Sequence, residues 1–575
     1  MNLNRQIKRL KRLGNFKSFL NASANVSANR ALGLWVFVFV LFHNTLQAQY
    51  ATGLADDDAG YDTTTTIILA SSKADLPRSV NLKPYCPMPG NQGRISSCVG
   101  WSVGYGLMTI EKAIQNNETD TRKITDEAFS ALFVYNQIRS SQSTCQSLTN
   151  MTEALELIKN RGNCLAKEFD FKVEDCYSRP ENELKESAKS HIIADYSRLF
   201  DKNTEGEGKV LVIRKMLAQK KPVAIGLKIN TQFMSLREAD YWNPNIGKEP
   251  VEGHAMVVVG YDDDAHCFIV MNSWGKVWGR DGFIKIKYND MGEYCRYAFV
   301  IYLDKNRTAN EPLVVTDTGF EKTNVNHAIV RTVAYKTEEN PLVSNQNPPK
   351  IVQKPVTKAE VKQAKKEERV GIQTPRELVE MSGSFEINYF TGRWTDNREP
   401  IFEAVGVEQI GEHYDVLKKD WRVGDAFQIA VTSKISGAYI YIISINPRNE
   451  VKIMFPRNEE FGRQYRDFHE SPLMMLDGAR IVLPHPNKVM KVDYAGTDRI
   501  CILFSTRKIW GFPKFCQKVQ KWNGNFDDYF YKLLGDIMIP ATNTNFSVNQ
   551  VAFSTATRSE GSIVPIIIAF KSEQP

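Results

Sequence analysis

A cysteine, a histidine and an asparagine are the residues of this chain whose surroundings best suit acyl-transfer chemistry. Cys98 opens an apolar helical pattern six residues after Gln92, His254 lies in a Gly-His-Ala step, and Asn272 begins the segment Asn-Ser-Trp-Gly. A helix N-terminus and a neighbouring histidine can lower the pKa of a thiol from about 8.5 to about 3–4. The sequence therefore predicts a thiolate–imidazolium pair of Cys98 and His254, with Asn272 orienting the imidazole.

Gln92 is the candidate donor to the oxyanion that acyl transfer creates. Its side-chain amide and the backbone N–H of Cys98 could both donate to the oxygen of a tetrahedral intermediate. A neutral amide suits this place because a carboxylate would repel the negative oxygen. One such donor stabilises the transition state by about 3 kcal/mol. His191, His266 and His469 have no comparable surroundings, and we expect surface or packing roles for them.

The segments that carry these residues resemble those of the papain-like cysteine peptidases, in a bacterial branch of the family. The resemblance covers about residues 77–303. Four separated segments agree with the family in order and spacing. They are the stretch from Gln92 to Cys98, Gly253-His254-Ala255, Asn272-Ser273-Trp274-Gly275, and Trp278-Gly279 with Gly282 to Ile286.

The resemblance implies a papain-like two-lobe fold and a division of roles among the site residues. Cys98 becomes the nucleophile, His254 the base and acid, and Asn272 the group that orients the imidazole. Gln92 belongs to the oxyanion hole, and Trp274 covers the hydrogen bond between Asn272 and His254 and excludes water from it. The implied substrates are proteins or peptides, and the implied chemistry uses no cofactor and no metal.

Three features depart from the family pattern. Ile95 stands where the family usually has a cysteine, so that disulfide is missing. The aromatic residue after the nucleophile is displaced, giving Val99-Gly100-Trp101. The stretch 49–76 is shorter than the usual inhibitory propeptide, which argues against control of the enzyme by that route.

The first 48 residues predict a secretory signal peptide. A basic region from Arg5 to Arg30 precedes twelve apolar residues, Ala31 to Phe42, and cleavage is expected after Ala48. An apolar stretch of this length is short for crossing a bilayer. We expect export to the periplasm, the cell surface or the medium, with membrane anchoring as the alternative if the segment stays uncleaved.

The net charge bears on the possible binding partners, and the cysteines bear on the cellular compartment. A net charge of +7 over 575 residues gives no case for nucleic acid binding. Besides Cys98, the other cysteines could form disulfides in an exported protein or remain buried free thiols. Cys501 and Cys516 could pair with each other. Cys164 and Cys176 lack the paired spacing of a zinc site.

The pattern along the chain predicts an α+β unit at residues 77–304, after a mobile N-terminal extension at 49–76. Helical patterns come first and strand patterns follow. The helical patterns lie at 98–115, 130–139, 152–160 and 209–219, and the strand patterns at 255–260, 267–271, 282–287 and 297–303.

The rest of the chain predicts a linker and a second domain. Residues 305–378 are polar and punctuated by proline, so we expect few contacts to cross them. Residues 379–575 predict a mainly-β, sandwich-like accessory domain. Its part from Val423 to Ile500 resembles a bacterial domain of unknown function. That resemblance implies no activity. We expect the accessory domain to bind a docking partner or to localise the chain.

Three functions fit these observations. The first is an exported cysteine endopeptidase that hydrolyses peptide bonds through a thioester on Cys98, with His254 as base and acid. The second is a catalytically weak or inactive papain-fold scaffold that binds a partner. The third is a transpeptidase or amidase that uses the same thioester. The intact set of Cys98, His254 and Asn272 favours catalysis.

Overall fold

The computed structural model of the chain describes most residues from Tyr50 onward. The described ranges are 50–68, 76–140, 144–169, 176–244, 251–303, 313–315, 320–322, 377–396, 398–410, 413–416, 420–458, 461–465, 468–522, 524–539, 544–547, 552–559 and 561–574. The predicted signal peptide, residues 1–48, lies outside the described residues, and so does most of the predicted linker 305–378.

Helices are concentrated in the N-terminal half and recur near the C-terminus. Helices α1 to α11 are Asp58–Thr63, Thr109–Gln115, Thr121–Asp126, Ala131–Ile138, Met151–Arg161, Asn182–Ala188, Gly206–Ala218, Thr231–Met234, Tyr288–Tyr294, Phe512–Gln520 and Phe526–Leu534. A π-helix spans Gly100–Met108, and 3₁₀ turns span Lys83–Tyr85, Lys189–His191, Arg463–Tyr465 and Gly535–Ile537.

Strands β1 to β10 belong to the N-terminal half and its exit, and β11 to β25 to the C-terminal half. The first set is Ser79–Asn81, Asp195–Arg198, Val223–Ile229, Tyr241–Trp242, Glu252–Asp262, Cys267–Met271, Phe283–Lys287, Cys295–Tyr302, Leu313–Val315 and Phe320–Lys322. The second set is Glu377–Trp394, Pro400–Val405, Val407–Ile410, His413–Val416, Trp421–Arg422, Ala426–Ser433, Tyr439–Ile445, Val451–Phe455, Arg480–Leu483, Met490–Lys491, Gly496–Ser505, Ile509–Trp510, Asn545–Ser547, Ala552–Ser559 and Ile563–Glu573.

One sheet and one long helix organise the N-terminal half. Within the described residues, the strands form a sheet in the order β2-β8-β3-β5-β6-β7-β4, and β1 pairs with β5. The helix starts at Cys98, continues through the π-helix and α2, and packs between the sheet and α4. Glycine permits this close approach, because a Cβ on Gly100 would lie 2.3 Å from the Ala131 carbonyl oxygen.

Most predicted elements of this half are present in the structure. The helices predicted at 130–139, 152–160 and 209–219 correspond to α4, α5 and α7, and the four predicted strands correspond to β5 to β8. The helix predicted at 98–115 is also present, but its central part is π-helical, which the apolar spacing alone did not indicate.

Residues 50–68 are packed against the N-terminal half, so the prediction of a mobile extension was wrong for them. Tyr50, Leu54 and Tyr61 are all buried, and the Tyr61 ring contacts Phe299 with centroids 5.2 Å apart. The Asp57 carboxylate accepts the Gly60 N–H at 3.0 Å and caps α1. The low-complexity Asp and Thr runs obscured the apolar residues before and between them, which provide the burial.

Most of the cysteines are free thiols, although an exported protein could form disulfides between them. Cys145 and Cys176 form a disulfide, whereas Cys501 and Cys516 are buried free thiols, so the suggested pairing of these two was wrong. Both free thiols lie in the apolar cluster beneath α10, where packing rather than a covalent bond holds them.

The C-terminal half contains two sheets whose facing sides share a buried cluster. Within the described residues, the strand orders are β19-β16-β11-β24-β23 and β13-β14-β25-β21-β17-β18. Helices α10 and α11 cover the outer side of the second sheet and were not predicted. Their apolar residues recur at helical spacing, as in Phe526, Phe530 and Leu534, so the sequence did contain a signal for these helices.

Among the described residues, no helix has the length and apolar character needed to cross a bilayer.

The two halves share buried contacts, so the expectation that few contacts cross between them was wrong. Leu473, Met475 and Leu476 belong to the apolar cluster of the N-terminal half, whereas Met474 belongs to the cluster between the C-terminal sheets. The Ser471 hydroxyl donates to the Asp195 carboxylate at 2.7 Å. A short segment of the second half therefore contributes to the core of the first.

Leu476→Ala should destabilise the N-terminal half although Leu476 lies in the C-terminal half. Truncating a fully buried leucine costs about 2–5 kcal/mol. Native-state hydrogen exchange of β3 and β5 amides in the full chain measures the effect. Leu211→Ala, at a leucine that is 44% exposed, is the control and should change protection by less than about 0.5 kcal/mol. Unchanged protection in the Leu476 variant would mean that the halves are energetically independent.

Candidate active site

Cys98 lies at the start of the long helix, at the end of a loop fastened by backbone hydrogen bonds. The Ser96 N–H donates to the Cys145 carbonyl at 2.8 Å, and the Trp101 N–H donates to the Ser97 carbonyl at 3.1 Å. Cys145 is also tied to Cys176 by the disulfide. Ile95 stands where the family usually has a cysteine, and a main-chain hydrogen bond from Ser96 to Cys145 holds the loop here.

His254 and Asn272 are brought together by the pairing of β5 with β6. The His254 Nε2 and the Asn272 Oδ1 are 2.7 Å apart, and the same Oδ1 accepts the Ser273 N–H at 2.7 Å. A backbone N–H can only donate, so the shared atom is the oxygen and His254 Nε2 carries a hydrogen. The lone pair is then on Nδ1, which has no hydrogen-bond partner within the described residues. The imidazole is therefore held as a base.

Trp274 covers this hydrogen-bonded pair. Its ring stacks on the His254 imidazole with centroids 4.4 Å apart and an angle of 24° between the planes. Phe233 contacts the Trp274 ring from the side at 5.8 Å. All three rings are fully buried, so water has no direct path to the bond between His254 and Asn272.

Gln92 links the nucleophile loop to the loop that follows β6. Its Oε1 accepts the Ser273 hydroxyl at 2.6 Å, and its backbone N–H donates to the Ser273 carbonyl at 2.8 Å. The Nε2 end donates to the Ile95 carbonyl at 2.9 Å and to the Ala51 carbonyl at 3.0 Å. The amide therefore presents its donor to a carbonyl oxygen, as an oxyanion-hole residue must.

The sequence reasoning missed one component, a segment of the chain's own N-terminus that occupies the site. The Ala51 carbonyl accepts from both Gln92 Nε2 and Trp274 Nε1, the latter at 3.1 Å. The Leu54 N–H donates to the Gly253 carbonyl at 3.2 Å, next to His254. Further along, Gly53 and Ala55 exchange backbone hydrogen bonds with Thr149, and the Tyr50 ring stacks on Trp274 at 5.0 Å. These contacts extend along the whole site.

Three consecutive aspartates fasten the end of this segment. Asp56 pairs with Lys228 at 2.8 Å, and Asp58 with Arg296 at 2.9 Å. Asp57 accepts a hydrogen bond from Thr152. The Asp56-Asp57-Asp58 run was visible in the sequence, but its basic partners lie far along the chain. No group of three or more metal-ligating side chains occurs in the described residues.

Comparison with known proteins assigns the part of the chain that contains this site. Residues 91–302 match the family model described as papain family cysteine protease. This part of the chain is a papain-family cysteine protease domain.

The relatives match a part of the chain and not the whole of it. An uncharacterized peptidase C1-like protein of Acanthamoeba polyphaga mimivirus is 26% identical over 37% of this chain and 68% of its own length. Procathepsin L of Felis catus is 28% identical over 25% of this chain, and the chain spans only 42% of that relative. The solved cysteine protease xylellain from Xylella fastidiosa is 21% identical over 45% of this chain and 97% of its own, with a TM-score of 0.38.

Burial disfavours the charged forms of both Cys98 and His254 in this structure. Burial raises the pKa of the Cys98 thiol to about 12, although nearby backbone N–H groups oppose the rise. Burial also lowers the pKa of His254 to about 4, and the hydrogen bond to Asn272 offsets this only in part. Both groups are therefore neutral at pH 7, because the covered site offers no water to a charge.

Acidification should destabilise the protease domain through His254. Its pKa falls from 6.5 to about 4 on folding, so the unfolded chain takes up the proton first and stability falls as the pH drops through this window. The loss is on the order of 3 kcal/mol. Urea unfolding of the parent and of His254→Gln at about pH 7 and pH 4 isolates the effect. Between pH 7 and pH 4, the free energy of unfolding of the parent should fall by this amount more than that of the variant. An equal fall in both proteins would contradict the burial effect.

Proposed function

We propose that residues 77–304 hydrolyse peptide bonds through a thioester on Cys98. The observation that carries the proposal is the fixed tautomer of His254. Asn272 Oδ1 accepts the hydrogen of Nε2, so Nδ1 keeps the lone pair that can take the thiol proton. A merely structural histidine would not need a buried nitrogen without a partner.

The proposed reaction follows from these atoms. His254 Nδ1 removes the Sγ proton of Cys98, and Sγ attacks the carbonyl carbon of the scissile peptide. Gln92 Nε2 and the Cys98 N–H donate to the resulting oxyanion. When the C–N bond breaks, Nδ1–H transfers its proton to the leaving amine and a thioester remains. Water, deprotonated by the same nitrogen, then hydrolyses the thioester and regenerates the thiol.

The Ala51 carbonyl supports the proposed role of Gln92. Its oxygen stands in for the carbonyl oxygen of a substrate, because it accepts the amide donor of Gln92 at 3.0 Å. The Ser273 hydroxyl holds the other end of that amide, so the donor cannot turn away without losing a buried hydrogen bond.

Cys98→Ala should abolish peptide hydrolysis and preserve the fold, because a methyl group replaces a small buried thiol. Cys86→Ala is the matched control, since Cys86 is another buried free cysteine of the same apolar cluster. Prolonged incubation of each full chain with a fluorogenic peptide library, together with circular dichroism, measures the result. Equal hydrolysis by the Cys98 variant and the parent would refute the nucleophile assignment.

Gln92→Ala should lower the rate of hydrolysis about 100- to 1000-fold, the range for loss of one oxyanion donor. It should not slow alkylation of Cys98 by iodoacetamide, because alkylation forms no oxyanion. Gln137→Ala, which removes a glutamine that donates to the Phe133 carbonyl on α4, serves as control. If alkylation also slows in the Gln92 variant, the role of Gln92 is structural.

The proposal includes export and a non-catalytic role for the C-terminal half. The Cys145–Cys176 disulfide supports export, since disulfides persist in oxidising compartments. N-terminal sequencing of the protein from fractionated cells tests it, with Gln49 as the expected first residue. Residues 379–575, of which the part from Val423 to Ile500 resembles a bacterial domain of unknown function, would serve docking or localisation. Affinity capture with the full Cys98→Ala chain should recover a partner that binds through the C-terminal half. A partner whose binding does not need this half would exclude the docking role.

A further inference from the structure

Two basic side chains and a tyrosine lie on strands β3 and β8, beside the strand that carries His254. The pairing of β3 with β5 places Lys228 opposite Gly253, the residue that precedes His254. Arg296 and Tyr297 lie on β8, which pairs with the other edge of β3. None of these three side chains takes part in the proposed reaction, so their place beside the site has to be explained in another way.

A β-bulge directs Arg296 and Tyr297 to the same carboxylate. The register of β8 against β3 shifts between Cys295 and Tyr297, so Arg296 is the extra residue of the bulge. Consecutive residues of a regular strand point to opposite faces, and a bulge changes that direction. Arg296 donates to both carboxylate oxygens of Asp58 at 2.9 and 3.0 Å, and the Tyr297 hydroxyl donates to one of them at 2.7 Å.

These side chains favour an ionised carboxylate. The Tyr297 hydroxyl and the Arg296 guanidinium hold the pKa of Asp58 below its usual value. Lys228 donates to both carboxylate oxygens of Asp56 at 2.8 and 3.0 Å. Among the described residues, Lys228 and Arg296 have no other ion-pair partner. The protease domain therefore carries two positive charges beside the site, and it supplies neither of their counter-charges.

The two carboxylates lie close along the chain to the residue that faces the nucleophile. The Gly53 N–H donates toward the Sγ of Cys98, and Asp56 and Asp58 follow Gly53 by three and five residues. A substrate bound across Cys98 would lie along the same wall of the site. Its residues three to five positions from the scissile bond would then face the two basic side chains.

We propose that Lys228, Arg296 and Tyr297 form a subsite that selects peptide substrates with a carboxylate three to five residues from the scissile bond. The proposal rests on the proposed function of Cys98 and adds a substrate class to it, acidic peptides. A guanidinium and a hydroxyl that donate to one carboxylate recognise both its charge and its geometry. A neutral side chain at the same place would leave both cations without a counter-charge and would bind less well.

The test compares pairs of substrates within one reaction of the full chain. A synthetic library contains each peptide in an Asp form and an otherwise identical Asn form, and mass spectrometry identifies the cleaved bond and the ratio of the two rates. Both forms compete for the same enzyme, so the ratio does not depend on how much of the chain is active.

The Asp form should be cleaved about 5- to 10-fold faster when Asp lies three to five residues from the cleaved bond on one side of it. Charged hydrogen bonds exceed neutral ones, and solvent screens part of the difference at these half-exposed side chains. On the other side of the bond, the two forms should be cleaved equally. Salt at about 1 M should weaken the preference, because it screens exposed charges.

Substitutions assign the preference to the subsite. Lys228→Gln and Arg296→Gln should each reduce the ratio of the Asp to the Asn rate at least about twofold. Tyr297→Phe, which removes the hydroxyl and keeps the ring, should reduce it less. Lys189→Gln, which removes the partner of Glu186 outside the site, is the control and should leave the ratio unchanged.

Equal cleavage of the Asp and Asn forms by the parent would overturn the subsite and leave the proposed function standing. A preference that persists in both the Lys228 and the Arg296 variants would overturn the assignment to these residues.

If no peptide is cleaved, the proposed function is refuted, and fluorescence anisotropy of labelled peptides with the Cys98→Ala chain tests the subsite alone. Tighter binding of the Asp forms that is lost in Cys98→Ala/Arg296→Gln would uphold the subsite. Equal binding, or no binding, of the two forms would overturn it.

Discussion

The hydrogen bond that the Asn272 side chain accepts from His254 is the constraint on which the proposed chemistry depends. Asn272 Oδ1 also accepts the Ser273 N–H, so the amide cannot flip and the histidine cannot change tautomer without breaking a buried bond. The neighbouring Ser273 hydroxyl fixes the amide of Gln92 in turn. One short stretch after β6 therefore orients both the proposed base and the proposed oxyanion donor, and Trp274 seals it from water.

Burial favours the uncharged forms of the same residues. In the covered site a neutral thiol and a neutral imidazole are favoured, because desolvation penalises both charged forms. A thiolate–imidazolium pair would need water or a substrate dipole near the sulfur. The thiolate–imidazolium pair stays a prediction for a site that water or a substrate has entered.

The sequence predicted the N-terminal elements well and the long-range packing poorly. Strands β5 to β8 and helices α4, α5 and α7 follow from apolar periodicity, which is local. The π-helix over Gly100–Met108 does not, since it depends on how closely the helix approaches α4 and β5. The contribution of Leu473 and Leu476 to the first core was also hidden, because that core is otherwise built almost entirely from residues far earlier in the chain.

By itself the sequence determined which residues could form the site: Cys98 at a helix start, His254 in a strand, Asn272 and Gln92 at matching positions. Residue type and spacing are local properties, so they can be read without coordinates. Only the tertiary structure decided the tautomer of His254, the burial that raises the pKa of Cys98 and the position of Tyr50–Asp58. These depend on burial and on hydrogen bonds between distant segments, and neither exists until the chain has folded around them.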